Sequence, residues 1–118
     1  MKKLLLIASV FLSFSLWAKE FNVENRVNEL LKATAQKNYV EFIKSGSTEF
    51  KKLDKKEFEK VANQLAPKIN EGMKLLFLTD LKKGEHVVHL YKVSFKNEDA
   101  LVRIVLNEKY ETLGFWIQ

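Results

Sequence analysis

The chain has 118 residues, with 20 Lys and Arg against 15 Asp and Glu, a net charge of +5 and no cysteine. Without cysteine there is no disulfide framework, no zinc–thiolate centre and no thiol nucleophile. Arginine occurs only as Arg26 and Arg103, and the lysines alternate with acidic residues, which speaks against a basic groove for nucleic acid.

The N-terminus reads MKKLLLIASVFLSFSLWA. Lys2 and Lys3 precede an uncharged, mostly apolar run over 4–16, and Trp17-Ala18 is followed by the charged pair Lys19-Glu20. This is the layout of a secretory signal peptide. The run falls short of the roughly 20 apolar residues that a membrane span requires. The layout predicts a signal peptide over 1–18, cleavage after Ala18, and a single mature domain over 19–118. Its location would be periplasmic or secreted, with no membrane attachment after cleavage. Removal of Lys2 and Lys3 lowers the net charge from +5 to +3. About 100 residues suffice for one core without staples.

Helical patterning comes first. Asn22 can cap a helix whose apolar face carries Val23, Val27, Leu30, Leu31 and Thr34. Asn38 and Glu41 have capping-box spacing and open a short helix with Tyr39, Phe42 and Ile43 on one side. Ser45-Gly46-Ser47 ends it. Asp54 and Glu57 repeat the spacing and open a third helix with Phe58, Val61, Ala62 and Leu65 as its buried stripe. Pro67 is expected to kink or end that helix, with Gly72 closing any last turn.

From Met73 the period changes to two. Four strands are predicted over 74–80, 85–96, 100–107 and 112–118. The short breaks between them imply hairpins and an antiparallel meander. Helices followed by a meander make an α+β domain with the helices on one face of a four-stranded sheet.

The only two histidines, His86 and His89, lie in GEHVVHLYKVSF over 84–95. On a strand, residues three apart point to opposite faces, so these two cannot share one metal ion. The zinc-protease helix needs two His four apart with Glu directly after the first, and here Glu85 precedes. No metal site and no cofactor are expected. Val87, His89, Tyr91, Val93 and Phe95 share the face expected to meet the helices. Asp80 stands at a strand end and can face either side.

The sheet also carries apolar residues on its other face: Leu76, Leu78, Val88, Leu90, Leu101, Val105 and Trp116. Three helices cannot cover both faces of the sheet. An uncovered apolar patch of this kind marks an association surface, and a homodimer through it is expected.

The helix KNYVEFIKSGSTEF (37–50), the Leu65-Ala66-Pro67 turn, the strand HLYKVSF (89–95) and the closing GFWIQ (114–118) resemble small exported members of the nuclear transport factor 2-like superfamily, the cystatin-like α+β cones. The resemblance implies a curved sheet wrapped around helices to form a cone with a pocket, and dimerisation through the outer sheet face. It places Tyr39, Phe42, Phe77, His89 and Tyr91 at the pocket, with a small apolar ligand as its occupant. The implied function is a non-enzymatic binding or interaction module. The alternative is a small hydrolase or isomerase using Asp80, His89 and Tyr91 as acid–base groups. A cystatin-type protease inhibitor ranks lower, because its Gln-x-Val-x-Gly hairpin does not occur.

Overall fold

The computed structural model describes residues 21–118, so the predicted signal peptide lies outside the described residues. Three α-helices precede a four-stranded antiparallel sheet: α1 (Val23–Ala35), α2 (Tyr39–Ile43), α3 (Lys55–Asn70), β1 (Lys74–Lys83), β2 (His86–Ser94), β3 (Asp99–Leu106) and β4 (Thr112–Ile117). A single 3₁₀ turn (Phe50–Lys52) links α2 to α3. The strand order is β1-β2-β3-β4, the meander that the short breaks require.

All three helices start where their caps place them. Asn22 accepts a hydrogen bond from the Asn25 amide, Asn38 from Glu41, and Asp54 from Lys56. α1 ends in a Schellman arrangement: Asn38 N–H donates to Ala33 and Lys37 N–H to Thr34, with Lys37 at φ 56°. Asn38 therefore closes one helix and opens the next.

Pro67 does not end α3, which runs on to Asn70. Pro67 and Asn63, one turn before it, are both exposed. Water can therefore serve the Asn63 carbonyl that the proline ring leaves without a donor. The glycine stop does hold: Gly72 adopts φ 117° and its N–H bonds to Ile69.

The core lies between the helices and one sheet face. Val27, Leu30 and Leu31 of α1 and Phe58 and Ala62 of α3 meet Tyr91, Val93, Val102, Ile104 and Leu106. The stripe on α3 is shifted from the one expected. Ala66 and Ile69 are buried, whereas Val61 is 49% exposed.

Arg26 fastens α1 to the last hairpin. Its Nη1 donates to the Tyr110 carbonyl (2.6 Å) and to Thr112 Oγ1 (3.2 Å), and Tyr110 stacks on Phe21 with centroids 4.5 Å apart.

Two irregularities decide which side chains face where. In β1 the pairing runs Phe77 with Tyr91 and then Thr79 with Leu90, so Leu78 is an extra, bulged residue. In β4, Gly114 pairs with Val105 and Thr112 with Leu106, which makes Leu113 the extra residue. Each bulge inverts the side-chain parity of its strand.

Candidate functional site

The β1 bulge brings together an acid–base pair on the helix-facing side. Before it, Leu75 and Phe77 lie opposite Val93 and Tyr91; after it, Asp80 lies opposite His89. His89 Nδ1–H donates to Asp80 Oδ1 at 2.6 Å, and the carboxylate acceptor fixes the proton on Nδ1. Phe77 meets Tyr91 edge-to-face with centroids 5.6 Å apart. Burial is the largest cause that raises the Tyr91 phenol above its ordinary value, and the carboxylates of Glu24 and Asp80 add to it.

The exposure of this pair runs opposite to that of a catalytic dyad. In an acid–base dyad the carboxylate is buried and orients an imidazole that faces the substrate. Here the Asp80 side chain is 51% exposed and that of His89 only 11%. The arrangement ties β1 to β2 and leaves the imidazole little access to a reactant.

The expected pocket residues do not form one site. Phe77, His89 and Tyr91 lie together on β1 and β2. Tyr39 and Phe42 belong to a separate aromatic group around Phe58, with centroids at 5.8 and 4.8 Å, and Phe42 reaches Phe115 on β4. The Tyr39 hydroxyl donates to the Leu53 carbonyl and is thereby occupied.

The main apolar cavity, of about 280 Å³, opens between α3 and β4, at the far edge of the sheet from Asp80 and His89. Of the five expected pocket residues only Phe42 lines it. Phe50, Phe58, Val61, Leu65, Leu113, Phe115 and Ile117 supply most of the rest, with Glu57 as the only charged group among the described residues that line it. The sequence carries a weak trace of this site. The apolar stripe of α3 is one residue too wide for its buried face, and Val61 is the surplus.

On the outer face, Leu76, Val88, Leu90, Leu101, Val105 and Trp116 lie where the alternation put them. Leu78 sits at the bulge, and Leu81, 47% exposed, joins the outer row opposite Val88 in its place. Trp116 lies across Gly114: a Cβ there would come within 2.1 Å of the indole. The Arg103 guanidinium stacks on that indole at 4.3 Å, with its Nε buried and lacking a hydrogen-bond partner.

His86 pairs with Lys83 on the outer face, away from His89. No group of three metal-ligating side chains occurs among the described residues. Nor is any described helix long and apolar enough to cross a membrane.

No family model, curated protein or solved structure matches the chain.

Proposed function

We propose that this protein is a non-enzymatic binding and interaction module, exported and released after cleavage near Ala18. The observation that carries the reading is the separation of chemistry from cavity. The Asp80–His89 pair lies at the β1 edge, while the apolar cavity lies against β4. An acid–base enzyme needs both at one place, within hydrogen-bond reach of the substrate. The nuclear transport factor 2-like cone is compatible with this α+β order and belongs to the same proposal.

Native mass spectrometry of protein taken directly from cells tests it. A bound small molecule retained by the wild type and by His89→Gln, but lost in Val61→Trp, is the expected result. A ligand lost in His89→Gln and kept in Val61→Trp would favour the acid–base alternative. Intact mass of the exported protein tests cleavage.

The outer face completes the proposal as a homodimer surface. It joins leucine and valine side chains to a stacked Arg103–Trp116 pair, and Trp and Arg are the residue types that dominate interface energetics. Leu90→Lys or Val105→Lys should give a folded monomer by light scattering. A wild type that is already monomeric at tens of micromolar removes the dimer.

A further inference from the structure

The cavity against β4 has a floor that side chains alone do not describe. Leu101 and Gln118 exchange both backbone hydrogen bonds, N–H to O at 2.8 and 2.9 Å. In an antiparallel ladder such pairs recur every second residue. Arg103–Trp116 and Val105–Gly114 are therefore the bonded pairs, and Phe115 and Ile117 turn their N–H and C=O groups away from β3. β4 is the last strand of the sheet, so those groups lie on its unpaired edge, and the same two residues line the cavity.

A fifth strand is begun beside β4 and then abandoned. Gly46 forms a parallel bridge to Thr112; the Thr112 N–H donates to Ser45, and the Ser47 N–H donates to the Thr112 carbonyl. The chain then leaves the sheet through the 3₁₀ turn at Phe50. Among the described residues no strand lies alongside 114–117; Phe58, Val61 and Leu65 of α3 wall the groove on the other side, and Phe50 and Leu53 also line it.

We infer that this groove binds an extended peptide segment of another protein, which adds as a fifth strand parallel to β4. The inference rests on the binding-module reading and names its ligand class. A free strand edge facing a helix across an apolar groove is the geometry of peptide recognition by strand addition. Backbone amides supply affinity, and alternate side chains supply selectivity. The alternate residues of the peptide that enter the groove are apolar, to match Val61, Leu65 and Phe58. Glu57 at the rim selects a basic residue beside them.

The probe is a fluorescein-labelled six-residue peptide with Leu at alternate positions and one Lys, read by anisotropy and by amide shifts of the protein. Two N-methylated versions are compared, one methylated on each alternate set of backbone nitrogens. Strand addition predicts binding lost at least tenfold for one set and kept for the other, with shifts centred on the Phe115 and Ile117 amides. Val61→Trp, a change at an exposed position, should abolish binding without unfolding. Glu57→Gln should weaken the Lys probe and leave a norleucine probe unchanged.

Equal tolerance of both methylated sets, or no binding of any probe, overturns the inference. If small apolar compounds still bind and are lost in Val61→Trp, only the peptide assignment fails; if nothing binds, the cavity reading fails with it. Protection of the Phe115 and Ile117 amides that rises with protein concentration, without peptide, also overturns it, because the occupant is then a second copy.

Discussion

Asp80 and His89 are nine residues apart in sequence and 2.6 Å apart in space, and the bulge at Leu78 is what lets them meet. In a regular strand paired through Phe77 and Tyr91, residue 79 would lie opposite His89 and Asp80 would face outward. Insertion of one extra residue turns a solvent-side carboxylate into the partner of a buried imidazole.

Asp80→Ala should therefore destabilise the fold modestly, by about 0.5–1.5 kcal/mol, the range for a lost hydrogen bond at a site that water can partly reach. Urea unfolding with the two variants Asp80→Ala and Asp80→Asn measures it. A loss confined to Ala would show that the amide oxygen suffices as acceptor and that the bond is structural. Deletion of Leu78 should cost more, because it reverses the parity of the second half of β1.

Tyr91 carries a pH dependence whose sign follows from its burial. Its folded-state pKa lies above the ordinary 10.0 of tyrosine. The neutral phenol is then favoured by folding, and both states hold the proton below pH 10. The contribution is fully present there and is lost as pH rises through the folded value, because the unfolded chain ionises first. Stability should fall more steeply above pH 10 in the wild type than in Tyr91→Phe. Parallel slopes for the two proteins from pH 9 to about 11.5 would remove Tyr91 as the cause.

Lys37 holds φ 56° at the end of α1, a conformation that costs a residue with a Cβ about 1–2 kcal/mol. Lys37→Gly should stabilise the protein by about 0.5–1 kcal/mol after the extra freedom of glycine in the unfolded chain is allowed for. For a domain of this size that corresponds to roughly 3–6 °C in Tm. A lower Tm would mean that the lysine side chain contributes more than its backbone conformation costs.

The charge of the outer face would make the proposed self-pairing salt-dependent. Lys74, Lys83, Lys92 and Arg103 lie on that face, and Asp99, 3.9 Å from Lys92, is its acidic counterpart. Two copies pairing through it repel, and salt screens the repulsion. The proposed dimer should tighten between about 0.05 and 1 M salt. Sedimentation equilibrium reads this directly. Weakening with salt would show that charge attraction holds the face, which a second copy does not supply.

Much of the architecture was readable because caps and periods are local. Asn22, Asn38 and Asp54 each sit at a helix start, and the strands at 86–94 and 99–106 follow their alternation with the expected inner face. The two bulges were not readable. Leu78 and Leu113 are ordinary strand residues, and nothing in a single chain marks which of several neighbouring leucines is left unpaired. Asp80 and Leu81 lie beyond the first of these points, so alternation alone does not give their faces. The cavity escaped for a different reason. It depends on how far α3 stands from β4, a tertiary distance that no periodicity encodes.

The hold of Arg26 on Tyr110 spans 84 residues. The meander is built from near-neighbour pairings and can form early. The helical layer instead closes on the sheet through contacts between the two ends of the domain, which carry a large loop-closure cost before they return any energy. A chain lacking its last ten residues would lose β4 and the tie of Arg26 to Tyr110 and Thr112, and the first helix would be held only by its packing on α3, β2 and β3.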